Sequence, residues 1–293
     1  MNRHLLRLPR AGASLIAGRP TRDPDPSPGR SALRWSAWAG VLLGAAVALA
    51  ANLPAAWLAA ALGQASGGRL QLAEAQGTVW QGSALPLLTG GPGSRDLAVL
   101  PSRLVWRLAP FWGGLRLQLS QDCCMTGLLV LEWRPGWGQQ TLSVLPASES
   151  IGQWPAAWLE GLGAPWNTVK PGGQLRLASR GLVLKLQDGV LRIAGAVELT
   201  LLEAASRLST VNPLGNYQLT LAGPPAAQAQ APAKLTLRTL DGALLLAGQG
   251  EWRPRGLVFR GQGRAAPGQE PALNNLLNII GQRQGALSVI SIG

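Results

Sequence analysis

The residue types that most often perform catalysis or bind metal ions are scarce in this chain of 293 residues. The only histidine is His4, so no other position can supply a histidine base, nucleophile partner or metal ligand. The only cysteines are Cys123 and Cys124, whereas zinc sites need several Cys or His ligands at defined spacings. The sequence therefore predicts neither a metal site nor a cofactor.

The two cysteines are adjacent, which limits what they can form. Neighbouring side chains in a strand point to opposite faces of the sheet, and a disulfide between them would strain the peptide. We expect one buried thiol and one thiol without a role. A bridge between the two, or a cross-link to another chain in an oxidising compartment, is the alternative.

The acidic residues beyond position 34 occur singly along the sequence. A glycosidase needs two carboxylates close together, and no spacing here indicates such a pair. The sequence also lacks a phosphate-binding glycine loop and a Gly-x-Ser-x-Gly nucleophile motif. We predict no catalytic residue and no enzyme; an enzyme would require buried carboxylates that meet only after folding. The acidic residues concerned are Glu74, Asp96, Asp122, Glu132, Glu149, Glu160, Asp188, Glu198, Glu203, Asp241, Glu251 and Glu270.

A long apolar stretch begins at Trp35. No charged residue occurs from Trp35 to Gly68, and about 20 mostly apolar residues are enough for a helix to cross a bilayer. Trp35, Trp38 and Trp57 occupy positions typical of aromatic residues at a membrane interface. We predict a single transmembrane helix at 35–57 that anchors the chain.

The residues before this stretch predict its orientation. Residues 1–34 contain seven arginines and two aspartates, and positive flanks stay in the cytoplasm. We expect a disordered basic cytoplasmic tail and export of everything after the helix, which in a bacterium means the periplasm. A cleaved signal peptide with its cleavage region at 48–51 is the alternative, although signal h-regions are shorter, about 7–15 residues.

The formal net charge of +12 is spread along the chain. We exclude nucleic-acid binding, because the basic residues do not cluster and the chain is exported. Our preferred interpretation is that scattered arginines keep a leucine-rich surface soluble; contact with anionic lipid head groups or acidic partners is the alternative. The 12 tryptophans are assigned mainly to packing within sheets.

After the apolar stretch, side-chain character alternates with a period of two. Leu115, Leu117 and Leu119 alternate with polar residues, as in antiparallel strands with one apolar and one polar face. Asp-Gly pairs at 188–189 and 241–242 lie between such runs and indicate hairpins. The alternation recurs at 175–177, 182–186, 191–193, 217–221, 235–237 and 287–292.

Few segments predict helices. The segment 155–162 begins at a proline, and the segment 272–280 is followed by Gly281 in the usual C-terminal position. The segment 197–208 fits either a strand or a helix, and the unpatterned segment 223–232 predicts a long hairpin loop.

A short likeness links the two halves of this region, since the Glu-Trp-Arg-Pro sequence at 132–135 recurs at 251–254. Two similar β layers in tandem are one interpretation, and chance likeness is the other. We predict a mainly β fold, with a single N-terminal transmembrane helix, a periplasmic antiparallel sheet or sandwich-like region, and few short helices. The predicted boundaries are the tail at 1–34, the transmembrane helix at 35–57, a first β region at 58–150, a linker with a short helix at 151–171 and a second β region at 172–293.

Five segments resemble, in order, blocks of one family, protein N of the type II (general) secretion system. The segment 73–84 matches its Gly-Thr-hydrophobic-Trp-x-Gly-x-Ala opening, and the segments 104–114, 209–217, 248–261 and 273–293 match later blocks. The long tail and the Pro-Ala-Gln loop depart from the family pattern. The residues that carry the motifs are Gly77, Trp80, Gly82, Trp106, Pro213, Gly215, Tyr217, Gly250, Trp252, Phe259 and Gly261.

The resemblance implies an inner-membrane accessory subunit of the machinery that exports folded periplasmic proteins across the outer membrane. It implies no catalytic residue and no small-molecule substrate, and it names other secretion subunits in the inner membrane and periplasm as partners, beside membrane lipids. Our hypothesis for its role is contact through sheet edges and apolar faces. The alternative, from a different class, is a periplasmic lipid-handling bridge with a leucine-lined β groove.

Overall fold

The computed structural model describes residues 29–146, 150–224, 231–253 and 256–293. Most of the predicted tail at 1–34 and of the predicted loop at 223–232 lies outside these residues. The described chain is mainly β, with two antiparallel sheets and few helices. The period-two alternation therefore predicted the fold class correctly.

The helices are short, apart from the first. The segment predicted at 155–162 forms a 3₁₀ helix rather than an α-helix, and Gly281 has an extended backbone rather than a left-handed cap. The first helix begins within the predicted tail. The helices are α1 Gly29–Ala51, α2 Ala55–Ala65, the 3₁₀ helix Ala156–Leu162, α3 Trp166–Val169 and α4 Glu270–Ile280.

The helix predicted at 35–57 is interrupted. Helix α1 ends at Ala51, and α2 begins directly after Pro54. A proline disfavours helical geometry in the residue before it, so the helix is interrupted here. Trp57 therefore lies in α2. None of the helices in the described part of the chain is both long and apolar enough to cross a membrane, so the predicted transmembrane helix is not confirmed.

Strands make up most of the remaining chain, and the ambiguous segment at 197–208 lies mainly in one of them. They are β1 Leu70–Gly77, β2 Gln81–Thr89, β3 Leu97–Val99, β4 Leu104–Phe111, β5 Gly114–Gln121, β6 Leu129–Gly136, β7 Gln139–Val144, β8 Gly152–Pro155, β9 Pro171–Ser179, β10 Leu182–Gln187, β11 Val190–Ala194, β12 Ala196–Ser206, β13 Gly215–Ala222, β14 Ala233–Gly242, β15 Leu244–Arg253, β16 Gly256–Ala265, β17 Gln282–Gln284 and β18 Leu287–Ile292.

The strands form two nine-stranded sheets. The first sheet has the order β1-β2-β4-β5-β6-β7-β10-β11, with β3 paired to β2. The second has the order β17-β18-β16-β15-β14-β13-β12-β9-β8. Strands β13 and β14 pair with each other, so the segment between them joins a hairpin, as predicted.

One long ribbon of two strands belongs to both sheets. Strands β9 and β12 pair in the second sheet, and their continuations β10 and β11 pair in the first. The change of sheet occurs at Gly181 and Gly195, which both have left-handed φ values, 89° and 80°. A Cβ on Gly195 would collide with the Gly181 carbonyl oxygen, so the two strands approach closely at this point. Strands β10 and β11 therefore belong to the first sheet, although they follow the segment 151–171 in the sequence.

Each sheet has one leucine-rich face that a helix covers at one end. Helix α2 packs Ala55 against Ala84 and Trp106 of the first sheet. Helix α4 packs three buried leucines against the second sheet, beside Tyr217. Between these ends the leucine faces are half-buried, as in the rows that join Leu117 of β5 to its neighbours in β4 and β6.

Candidate functional site

The first group of motif residues is a packing cluster around Trp106. Trp106 is 2% exposed, and its indole Nε1 lies 3.3 and 3.2 Å from the carbonyl oxygens of Thr78 and Val79, to which it donates. A Cβ on Gly82 would come within 2.5 Å of the indole ring, and Gly77 has a left-handed φ of 88°. The fold thus brings Gly77, Gly82 and Trp106 together, and the two glycines make room for backbone and ring.

The same turn holds the end of helix α1. The Trp80 indole donates to the Ala50 carbonyl at 2.7 Å, and the Val79 amide donates to the Leu53 carbonyl at 2.9 Å. Pro54 forms an isolated antiparallel bridge with Thr78. Trp80, which the motif marks, therefore attaches the segment between α1 and α2 to the first sheet.

A second group surrounds Tyr217 in the second sheet. The Tyr217 hydroxyl lies 3.1 and 3.0 Å from the carbonyl oxygens of Leu214 and Leu244 and can donate to either. Gly215 faces the Asp241 carbonyl so closely that a Cβ would collide with it. Burial raises the pKa of the Tyr217 hydroxyl, and the negative charge of Asp241 raises it further, so the group stays a protonated donor. Pro213 precedes this cluster with a cis peptide bond.

A third group lies in β15 and β16, where Phe259 covers a row of glycines. Phe259 is buried and pairs with Gly250, and a Cβ on Gly250 or Gly261 would come within 3.0 Å of the ring. Trp252, which pairs with Leu257 on the same two strands, is half-buried. An aromatic ring over glycines supplies the packing that the missing side chains lack. These motif residues therefore pack against one another within the second sheet.

An ion cluster lies on the polar face of the first sheet. Glu132 accepts from Arg116 at 2.7 Å and from Arg134 at 3.0 Å, and its side chain is 11% exposed. Both guanidinium groups also stack on the Phe111 ring, 5.2 and 5.4 Å from its centre. The Glu132 carboxylate thus accepts from Arg116 through one oxygen and from Arg134 through the other.

Two tryptophans that sequence reasoning did not single out project from one end of the first sheet. Trp112 lies in the two-residue turn between β4 and β5, and Trp137 lies in the turn between β6 and β7. Both are fully exposed, at 99% and 106%. The Trp-Gly pair between two alternating runs is a signal that could have found them. We call this end, formed by the turns 112–113, 137–138 and 188–189, the tryptophan end.

The tryptophans predicted to lie at a membrane interface are also exposed: Trp35 and Trp38 in α1, and Trp57 in α2. The prediction placed all three in one helix. The break at Pro54 leaves Trp57 in α2, whereas Trp35 and Trp38 lie in α1.

The expectation of one buried thiol is wrong, since Cys123 and Cys124 form a disulfide with each other. They lie in the turn after β5 rather than in a strand, so the opposite-face argument does not apply to them. Within the described residues, no group of three or more acidic, histidine or cysteine residues could hold a metal ion.

The comparisons with known proteins give one match. A search of curated proteins and a search of solved structures found no match. The family model described as type II secretion system (T2SS), protein N, matches residues 68–289, which include β1 to β17 and the first half of β18. The resemblance seen in the sequence motifs is thereby confirmed, and the chain belongs to the type II secretion system protein N family.

Proposed function

We propose that the chain is a non-catalytic accessory subunit of the type II secretion machinery, anchored in the inner membrane with its N-terminus in the cytoplasm and its two sheets in the periplasm. The family match carries this proposal, because it covers nearly all of both sheets and the family is a component of that machinery. The finer assignments of membrane, orientation and role rest on the physical arguments that follow.

Helix α1 supports the anchor. Its apolar side chains at Val41, Leu42, Leu43, Val47 and Leu49 are each 60–72% exposed. Apolar surface of this extent is normally buried against another apolar surface. The hydrocarbon core of a bilayer would bury it, and the arginines on its N-terminal side are typical of a membrane helix. The arginines before residue 35 favour a cytoplasmic N-terminus.

The acidic groups support a structural rather than a catalytic module. Glu132 is held by two arginines, and Glu198 and Glu251 pair with Arg180 and Arg253 at 3.0 Å each. Each of these carboxylates is thus engaged in an ion pair within its own sheet. The end strands of the two sheets, β1, β11, β8 and β17, are the places at which a partner could add a strand.

Three measurements in the bacterium that encodes the chain test the proposal. Deletion of the gene should leave folded secreted proteins in the periplasm. The full chain should resist carbonate extraction from membranes, and a C-terminal tag should be digested by protease in spheroplasts but not in intact cells. Protection of that tag in spheroplasts would overturn the orientation, and unchanged secretion would overturn the role.

A second candidate function is the lipid-handling bridge. The observation that favours it is the half-buried state of both leucine faces away from α2 and α4. We would expect lipid to copurify with the full chain and to be lost when Leu117 and Leu219 are both changed to glutamine. Normal lipid content in that variant, with secretion impaired, would favour the accessory subunit instead.

A further inference from the structure

Several large apolar side chains are exposed at the tryptophan end. Beside the two fully exposed tryptophans at the tips, Trp133, Leu186 and Val190 are 37–41% exposed on the strands that lead into these turns. The turns themselves are two residues long, and Gly113 and Gly138 take left-handed φ values of 87° and 69° that let the chain reverse tightly. The tips are therefore short and fixed by their strands.

The turns at this end lie side by side. Strand β5 pairs with β6 through Leu115 and Trp133, which places the Trp112 turn next to the Trp137 turn. Strand β7 pairs with β10 through Gln139 and Gln187, which places the Asp188-Gly189 turn next in line. A row of short turns that carries amphipathic rings suits a flat boundary between water and an apolar phase.

A row of cations crosses the polar face of the sheet just behind these turns. Arg134 pairs with Thr141, Thr141 pairs with Lys185, and Lys185 pairs with Arg192, so the three cations share one cross-strand row. All three are exposed. Two residues separate Arg134 and Lys185 from their turns, which is about 7 Å at strand spacing. Of the acids near the row, Glu132 binds Arg116 and also Arg134 of the row itself, and Asp188 lies in the adjacent turn beside Gly138.

The end of helix α1 is attached near the same end of this sheet. The Trp80 indole donates to the Ala50 carbonyl, and the Trp80 carbonyl accepts from the Leu108 amide of β4 at 2.7 Å. Strand β4 leads directly to Trp112. If α1 is the membrane anchor, the chain leaves the bilayer at about Ala51, close to the tryptophan end.

We propose that the tryptophan end docks on the periplasmic surface of the inner membrane, with Trp112 and Trp137 at the level of the head groups and Arg134, Lys185 and Arg192 on anionic lipid phosphates. This rests on the proposed function, because the anchor is what brings the end to a membrane. The charge complementarity selects the occupant: cations behind aromatic tips match an anionic bilayer surface.

The test uses the full chain in vesicles of phosphatidylethanolamine and phosphatidylglycerol. Trp112→Cys and Trp137→Cys are each labelled with an environment-sensitive fluorophore, since the native cysteines are joined in a disulfide. Ala286→Cys, in the exposed turn between β17 and β18 of the second sheet, is the matched control. We expect a blue shift and quenching by nitroxide-labelled lipid at positions 112 and 137 but not at 286.

Charge variants then test the cation row. In vesicles, each of Arg134→Gln, Lys185→Gln and Arg192→Gln should lower the ratio of docked to undocked label about fivefold, since each cation near an anionic surface contributes about 1 kcal/mol. Replacement of phosphatidylglycerol by phosphatidylcholine should lower this ratio for the wild type by more than any single substitution, because it removes the attraction of all three cations, without the chain leaving the vesicles.

The outcomes separate the two proposals. A chain that carbonate extracts from the vesicles overturns the anchor and with it the docking. A chain that stays in the vesicles, with labels at 112 and 137 as water-exposed as the label at 286, overturns the docking alone. Crosslinking of those positions to a protein in cells, with no lipid quenching in vesicles, overturns the lipid as occupant.

Discussion

The Glu-Trp-Arg sequence occurs once in each sheet, and its two copies lie in different surroundings. In β6 the Glu132 side chain is 11% exposed and binds both Arg116 and Arg134, whereas in β15 the Glu251 side chain is 39% exposed and binds Arg253. The pair between the glutamate and the arginine two positions later measures 3.0 Å in both strands, because alternate residues share a face. The local sequence therefore sets the pair, and the sheet around it sets its burial.

The two sheets also share a way of packing glycine. In the first sheet the Trp106 ring lies on Gly82, and in the second the Phe259 ring lies on Gly250 and Gly261. In each sheet one strand bulges at a glutamate with φ of 50°, Glu74 in β1 and Glu203 in β12. The likeness between the sheets is thus stronger in backbone and packing than in the few letters that their sequences share.

The largest expected effect tests this shared packing. Trp106→Ala and Phe259→Ala should each lower the free energy of unfolding by about 3–5 kcal/mol, because each leaves a cavity over a glycine that cannot fill it. Urea unfolding of the full chain in detergent, followed by circular dichroism, measures the loss. Trp137→Ala, at a fully exposed position, is the control and should stay within about 0.5 kcal/mol of the wild type. If only one of the two variants lost stability, the two sheets would not depend alike on an aromatic ring packed over glycine.

The next effect concerns the ribbon that both sheets share. Gly195→Ala should cost about 2–4 kcal/mol, from the left-handed backbone and from the collision with the Gly181 carbonyl. Gly189→Ala is the matched control, because Gly189 has a φ of 76° but no atom within 4 Å of a new Cβ. It should cost only about 1–2 kcal/mol, from backbone strain alone. Equal losses of stability in the two variants would show that the close approach at Gly195 does not affect the free energy of unfolding.

The two glutamates should differ in the same unfolding assay. Glu132→Gln should cost about 1–3 kcal/mol, because it removes a largely buried charge and replaces one of the two oxygens that accept from the arginines with an amide donor. Glu251→Gln should cost at most about 1 kcal/mol, because its pair is solvated. The Glu251 loss should vanish in concentrated salt while most of the Glu132 loss persists. The reverse order would mean that burial does not distinguish the two copies.

The smallest effect belongs to Tyr217, the only tyrosine of the chain. Tyr217→Phe should cost about 1 kcal/mol near neutral pH, through the lost hydrogen bond. The pKa of the folded hydroxyl is raised, so its stabilising contribution is complete below about pH 10 and declines as the pH rises above that value. Absorbance titration of the phenolate measures this group alone, and a midpoint near pH 10 in the folded chain would contradict it.

Seven strands were predictable from sequence because each has its own alternation; they are β5, β9, β10, β11, β13, β14 and β18. The Asp188-Gly189 turn follows as predicted, with both residues at positive φ. The break between α1 and α2 could also have been predicted from Pro54, which the prediction of one helix at 35–57 did not take into account. Local signals of this kind need no knowledge of distant residues.

The assignment of strands to sheets was not predictable in the same way. Strands β8 and β9 follow the first seven strands yet belong to the second sheet, whereas β10 and β11 return to the first. That exchange depends on pairings between residues far apart in sequence, such as Leu142 with Leu184. The tryptophan end was missed for a different reason: Trp112 and Trp137 lie in the turns of consecutive hairpins, and neither turn carries the Asp-Gly pair that marked other hairpins in the sequence.

The shared ribbon also bears on the order in which the chain can fold. A polypeptide that is synthesised from its N-terminus presents β1 to β7 early, but their sheet gains its last two strands only after 194 residues have been made. Until then β7 offers an open edge to other unfinished chains. The order of synthesis therefore favours a helper that shields that edge, or folding fast enough to close it.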